Sequence, residues 1–400
     1  MTQTIRVSLP GYNALTDNNL DHFSLFADTD NVLIKRKTTR TYNVGYGGNP
    51  TIYTVNHGLG YVPFFMVYKD LNNNGYWSIV NNEYNQFEVP PMIASSDTSD
   101  LKVRNYYVSS VPIAYDIFYD NMSLSGNPTI SESSVVFKVS RPNKSTSSTN
   151  PNDYIMHSDL NNLKILKQGK VTVTPTQDWG EIRVSHEFAG TTPYKFLYYV
   201  KCLDGKVILA GTAMQRSYNE NYYFYDTYMN SQYISTTVRP ITTDQYDVYY
   251  LIYGTGTSNM VDNTSPVLAV SREGYNVLTE TNPDNFQFHS KYPTLKYYSE
   301  GTYTMTVSNT TVYPVYHGLG YVPVFIGFVN DIAGIFTSSY AIAPYYWGRS
   351  IIYQPNQDIG AFVYADANYL YLKAYYQPNA VGLQKTFTFY YKIFKNNLGF

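Results

Sequence analysis

The residues in this chain that could carry chemistry are three histidines set in a recurring glycine–proline context. His57-Gly58-Leu59-Gly60-Tyr61-Val62-Pro63 returns unchanged as His317-Gly318-Leu319-Gly320-Tyr321-Val322-Pro323, and a worn form runs from His186 to Pro193, one residue longer. An imidazole can ligate a metal, act as a general base or pin a backbone. A metal needs three or four converging ligands, and nothing near the histidines repeats with them to supply these. The glycines reach positive φ, the proline ends a turn, and the ring can bond a backbone group. His57, Gly58, Gly60, Pro63, His186, Pro193, His317, Gly318, Gly320 and Pro323 are therefore expected to build corners between strands, holding no metal and no cofactor.

The remaining chemical signals are weaker. Asp70-Leu71-Asn72-Asn73-Asn74-Gly75 opens like a calcium loop, but Asn81 stands where the bidentate acid should be, and a hairpin turn explains the same residues. No pair of carboxylates recurs in a setting a glycosidase would need. No nucleophile elbow, phosphate-cradling loop or metalloprotease histidine pair is present. The chain is expected not to be an enzyme. Trp77 and Trp347, with outward tyrosines, are the candidates for shallow sugar sites.

Composition indicates what positions these residues. Tyr accounts for 45 of 400 residues, aromatics for 17% and charged residues for only 14%, against about 25% in an average globular chain. Tyr, Val, Ile, Thr and Phe favour strands, and 25 Gly and 20 Pro supply turns. The expectation is an all-β protein. In strands, adjacent tyrosines such as Tyr249-Tyr250, Tyr375-Tyr376 and Tyr390-Tyr391 should point to opposite faces, one into the core and one outward.

A formal net charge of −2 offers no basic footprint for nucleic acid. The single cysteine, Cys202, excludes an intramolecular disulfide and reads as a buried thiol. The N-terminus lacks the pattern of a secretory signal, and no apolar run is long enough for a helical membrane span, so no membrane insertion is expected.

Internal repetition organises the chain into three copies of a unit of about 130 residues. Each copy opens on an extended segment: Val7-Ser8-Leu9-Pro10, Val139-Ser140-Arg141-Pro142 and Val270-Ser271-Arg272-Glu273. Asn19, Asn150 and Asn282 follow, then Phe23, Tyr154 and Phe286, then Val32, Leu163 and Leu295, at constant spacing. After each histidine corner comes a strand-like run: Phe64–Tyr68, Tyr194–Val200 and Val324–Val329. A turn and second strand should complete a hairpin, at Asn72–Gly75, Asp204-Gly205 and Asn330–Gly334. Tyr115–Phe118, Tyr250–Tyr253 and Tyr391–Phe394 close the units. The expected domains are 1–133, 134–264 (diverged) and 265–400. Each reads as an antiparallel β-sandwich, with a small β-barrel as the alternative. A pseudo-threefold within one chain, a trimer of chains and a string of beads all fit this pattern.

The opening Val-Ser-Leu-Pro-Gly-Tyr-Asn-Ala-Leu-Thr at 7–16, its counterpart at 270–279 and the two intact histidine motifs resemble short structural proteins of tailed bacteriophages. Copy two departs from this, with Pro142-Asn143-Lys144-Ser145 in place of Pro-Gly-Tyr-Asn. The resemblance implies a virion component, tail-associated or capsid-decorating, assembled in the host cytoplasm and docking on capsid, neck or tail proteins. An oligomer in the particle is expected. The alternative is a receptor- or glycan-binding module of a tail fibre or spike, serving host attachment through a surface glycan.

Overall fold

The computed structural model describes residues 6–8, 11–17, 23–26, 34–44, 51–70, 73, 76–80, 83–84, 92–105, 110–122, 138–140, 145, 147, 154–157, 161–163, 165–174, 180–186, 195–201, 205–210, 213–214, 224–238, 245–253, 268–271, 274–280, 286–289, 294–295, 297–330, 340–343, 345–347, 358–377 and 383–398. Every regular element among them is a β-strand. Copy one contributes β1 (Arg6–Ser8), β2 (Phe23–Phe26), β3 (Ile34–Val44), β4 (Thr51–Asn56), β5 (Pro63–Asp70), β6 (Trp77–Ile79), β7 (Glu83–Tyr84), β8 (Met92–Ser96), β9 (Asp100–Asn105) and β10 (Val111–Asn121). Copy two contributes β11 (Lys138–Ser140), β12 (Tyr154–His157), β13 (Asn161–Asn162), β14 (Ile165–Val173), β15 (Gly180–Ser185), β16 (Lys195–Lys201), β17 (Val207–Leu209), β18 (Ala213–Met214), β19 (Phe224–Met229), β20 (Tyr233–Val238) and β21 (Tyr246–Tyr253). Copy three contributes β22 (Ala269–Ser271), β23 (Phe286–His289), β24 (Tyr297–Val307), β25 (Thr310–Tyr316), β26 (Pro323–Asn330), β27 (Tyr340–Ile342), β28 (Tyr345–Trp347), β29 (Asp358–Ala365), β30 (Tyr369–Gln377) and β31 (Lys385–Asn397).

The repeat seen in the sequence is a repeat of strand pairing. Each copy opens on a two-stranded antiparallel ribbon, β1-β2, β11-β12 or β22-β23, with a register shift at the same place. Each then supplies two half-sheets to an antiparallel sandwich. One half has four strands: β3-β10-β5-β6, β14-β21-β16-β17 or β24-β31-β26-β27. The other has three: β4-β9-β8, β15-β20-β19 or β25-β30-β29.

The half-sheets do not end at the copy that makes them. The four-stranded half of copy one runs on into the three-stranded half of copy two, where β6 pairs with β19 at Trp77 and Met229. Copy two continues into copy three through β17 and β29, with Val207 opposite Ala365. Copy three returns to copy one through β27 and β8, with Tyr340 opposite Ser96. The three copies therefore close a cycle of three shared sheets. No sheet closes into a barrel among the described residues. Among the described strands all pairings are antiparallel except the short contact of β28 with β7.

This closure explains why β5 is buried at every residue and β16 and β26 at all but the last. A strand with one wet face alternates polar and apolar residues, whereas these apolar runs sit under protein on both faces. Their rings meet around the cycle: Tyr68 with Phe196, Tyr199 with Phe325 and Phe328 with Phe65, at centroid separations of 5.8, 5.3 and 5.3 Å. One continuous hydrophobic core results, drawn from all three copies.

Glycine sets the closest approaches. A Cβ on Gly327 in β26 would collide with the buried side chain of Val363 in β29, so the two layers can touch there only because the position is glycine. Gly169 and Gly301 lie directly opposite Tyr250 and Tyr391, whose rings cover them. Tyr249-Tyr250 departs from the expected arrangement of one core ring and one outward ring, since both side chains are buried. Tyr375-Tyr376 and Tyr390-Tyr391 each keep one ring buried and one partly exposed.

The predicted hairpins form in copies one and two. Tyr68 pairs with Ile79 and Asp70 with Trp77, and the turn carries Asn73 at φ 50°. Lys201 pairs with Val207 across a turn with Gly205 at φ 83°. In copy three β26 and β27 are paired, and the expected turn and strand at Asp331–Phe336 lie outside the described residues, as does Cys202.

Candidate docking surfaces

The three histidines are placed alike. Each histidine follows the first strand of its three-stranded half-sheet, and its ring reaches the hairpin turn between the other two. His57 Nε2 lies 3.1 Å from the Asp97 carbonyl, His186 Nε2 2.7 Å from that of Asn230 and His317 Nε2 3.2 Å from that of Asp366. The backbone N–H of Leu59 donates to His57 Nδ1 and that of Leu319 to His317 Nδ1, at 3.3 and 3.2 Å. An accepting Nδ1 requires a neutral ring with the proton on Nε2, which then donates to the carbonyl. Gly58, Gly60, Gly318 and Gly320 have φ of 64°, 73°, 62° and 77°, as the corner requires. Pro63 and Pro323 open the central strands β5 and β26. Pro193 lies outside the described residues.

All three rings are buried. Burial pushes the His186 and His317 imidazoles below their ordinary value, partly opposed by the bonds to the Asn230 and Asp366 carbonyls. Each ring is committed within its own copy, so the cyclic packing does not bring the histidines together as a ligand set. Among the described residues no three His, Cys, Asp or Glu side chains cluster as a metal would require.

The partner of each histidine is a second repeated device that the sequence reading did not pick out. Asp97 Oδ1 accepts from the N–H groups of Ser99 and Asp100, Asn230 Oδ1 from Gln232 and Tyr233, and Asp366 Oδ1 from Asn368 and Tyr369. This is an Asx turn, in which the side chain replaces a backbone acceptor. The signal was an Asp or Asn followed three residues later by the first residue of the next strand, at constant distance from the histidine motif only in space.

Trp77 is not a surface platform. It is 5% exposed, at the joint where β6 pairs with β19, so its indole is spent on joining copies one and two. The backbone of Trp347 lies in β28, and its side chain lies outside the described residues.

Charges are buried in the core. Lys195 Nζ of copy two donates to Asp116 Oδ1 of copy one at 2.7 Å, both groups nearly free of solvent. Lys392 is buried in copy three beside Glu300 at 2.9 Å. Strand registers show Asp116, Leu251 and Lys392 to be equivalent positions, so the three copies differ in charge at one shared core site.

Among the described residues the opening loops hold the most exposed large apolar side chains. Ser8 Oγ donates to the Tyr12 carbonyl, and Ser271 Oγ to that of Tyr275, at 2.8 and 2.7 Å. Asn13 Oδ1 accepts from Leu15 N–H and Asn276 Oδ1 from Leu278 N–H, at 2.9 and 3.0 Å. These bonds hold Leu15 87% and Leu278 80% exposed, beside exposed Tyr12 and Tyr275. In copy two the described residues keep the matching side-chain bond, with Ser147 N–H donating to Ser145 Oγ at 3.1 Å. There Lys144 and Ser147 occupy the places of the tyrosine and leucine.

Comparison of the chain with protein-family models, with curated proteins and with solved structures finds no match.

Proposed function

We propose that this chain is a non-enzymatic structural component of a tailed-phage particle, which docks on neighbouring particle proteins through the opening loops of copies one and three. The observation that carries the docking is the pair of leucines held in water by a built turn. Exposing a leucine forgoes about 2 kcal/mol of burial. In copy two the matching side-chain bond forms with Ser147 in the leucine's place, so the bond does not need the leucine. An apolar residue that folding does not require is best accounted for by a partner that covers it.

The particle comes from the likeness of residues 7–16, 57–63 and their copy-three counterparts to tailed-phage structural proteins. Closure of three copies within one chain suits such a role, because each joint between copies pairs two strand edges that would otherwise be open. On β25, Pro314 removes a donor from the edge, and on β15 Glu181 and Arg183 charge it.

The test is immunogold labelling of purified particles, read by electron microscopy. Regular labelling of the capsid or tail body is expected. Absence of the chain from the particle would overturn the reading, and labelling confined to distal fibre tips would transfer it to host attachment.

A further inference from the structure

Four tyrosines cross the exposed face of the copy-three half-sheet in one line. Tyr316 on β25 contacts Tyr369 on β30, Tyr369 contacts Tyr371, and Tyr371 stacks on Tyr364 of β29, with ring centroids 5.3, 5.9 and 5.1 Å apart. Tyr316 lies opposite Tyr369 and Tyr371 opposite Tyr364 in the strand register, so the pleat turns all four to the same side. Tyr316 is 71% and Tyr369 37% exposed, while the inner two are partly covered. From copy two, Lys206 Nζ sits 5.1 Å from the Tyr364 centroid and 5.3 Å from that of Tyr371, closing the inner end of the row. Asp366, already fixed by its turn, accepts the Tyr371 hydroxyl at 2.6 Å.

The fold does not ask for this row. The equivalent positions in copy one are Asn56, Asp100, Lys102 and Ser95, and in copy two Ser185, Tyr233, Ser235 and Tyr228. Only copy three fills all four with tyrosine.

We propose that this tyrosine row is a carbohydrate site for a short uncharged oligosaccharide. The apolar faces of the sugar rings pack on Tyr316 and Tyr369, and sugar hydroxyls bond the phenol, carboxylate and ammonium groups of Tyr371, Asp366 and Lys206. Size argues for this occupant. The solvent-facing area of the four side chains is roughly 300 Å², well below the ~800 Å² per partner of a stable protein interface. Chemistry argues the same way, because every ring ends in a hydroxyl and the row carries one charge of each sign, which gives no preference for an anion. The site is separate from the opening loops and does not depend on their docking role.

The test uses the intact chain titrated with neutral hexose and N-acetylhexosamine oligosaccharides, and with sialylated and sulfated ones, followed by calorimetry. At least one neutral oligosaccharide should bind. Tyr316→Ala and Tyr369→Ala should each weaken it about tenfold or more, with the thermal midpoint unchanged, and Tyr12→Ala should leave it as it was. The proposal fails if no neutral probe binds at concentrations on the order of 10 mM, if only anionic probes bind, or if the variants bind like the parent. A strip that captures a particle protein but no sugar would also overturn it, in favour of protein docking.

Discussion

The hydroxyl of Tyr199, in copy two, donates a 2.7 Å hydrogen bond to the backbone carbonyl of Phe325, in copy three. Tyr68 of copy one repeats this toward Phe196 of copy two at 2.9 Å, and its hydroxyl also meets that of Tyr253. At the third joint the equivalent residue is Phe328, which packs its ring on Phe65 with no hydroxyl to donate. Burial pushes the phenols of Tyr68, Tyr199 and Tyr253 well above their ordinary range, so they stay neutral donors. The joints are thus equivalent in position but not in chemistry.

Removing the hydroxyl should weaken one joint without emptying it. Tyr199→Phe is expected to cost about 1 kcal/mol, read as a lower denaturant midpoint with the slope unchanged.

The buried ion pair should respond asymmetrically. Lys195→Met takes the ammonium away from the buried Asp116 carboxyl, at a cost of about 3–5 kcal/mol. Asp116→Leu combined with Lys195→Met should recover most of that loss in a double-mutant cycle, since an apolar pair of similar volume suits the same cavity. Non-recovery would mean that the pair also sets the register between copies one and two.

Acid should act in two windows. The His186 and His317 imidazoles sit below their ordinary 6.5, chiefly through burial. Both states are neutral above that value, and the unfolded chain takes up protons first as the pH drops. Stability is therefore full above 6.5 and declines as the pH falls through the folded values. Glu181 is lowered to about 2, first by its hydrogen bond from Arg183 and further by those from Ser235 and Tyr228. Its contribution is present above the ordinary 4.5 and is lost toward about 2. Chemical denaturation at about pH 7.5 and about pH 5.5 should show the first loss, and His317→Gln should flatten it.

The glycine between the layers should tolerate nothing larger. Gly327→Ala drives a methyl into Val363, which is itself buried, and is expected to cost about 1–3 kcal/mol in thermal or denaturant unfolding.

The docking proposed for the opening loops can be separated from stability. Leu15→Ser with Leu278→Ser reproduces what copy two already has at Ser147. The doubly substituted chain should unfold within about 0.5 kcal/mol of the parent and should fail to enter purified particles, as measured by mass spectrometry of their protein content.

The sequence by itself determined whatever depends on a few neighbouring residues. Strand content follows from Tyr, Val, Ile and Thr, and the hairpins from Asn73 and Gly205 at positive φ. The histidine corners follow from glycines that only a tight turn can use, and the threefold repeat is visible as spacing. Asp97, Asn230 and Asp366 escaped notice because they meet the histidines across a half-sheet, some forty residues away in the chain. Only the tertiary structure decided which edges pair. Alternating residues show that a strand has a buried face, and continuous ones that it has two, but neither says what covers it. The strands of one copy could have completed their own sheets. Instead Trp77 meets Met229, Val207 meets Ala365 and Tyr340 meets Ser96, because closing the cycle covers the second face of β5, β16 and β26. The same pairing buries the indole of Trp77 and brings Lys206 of copy two over the tyrosines of copy three.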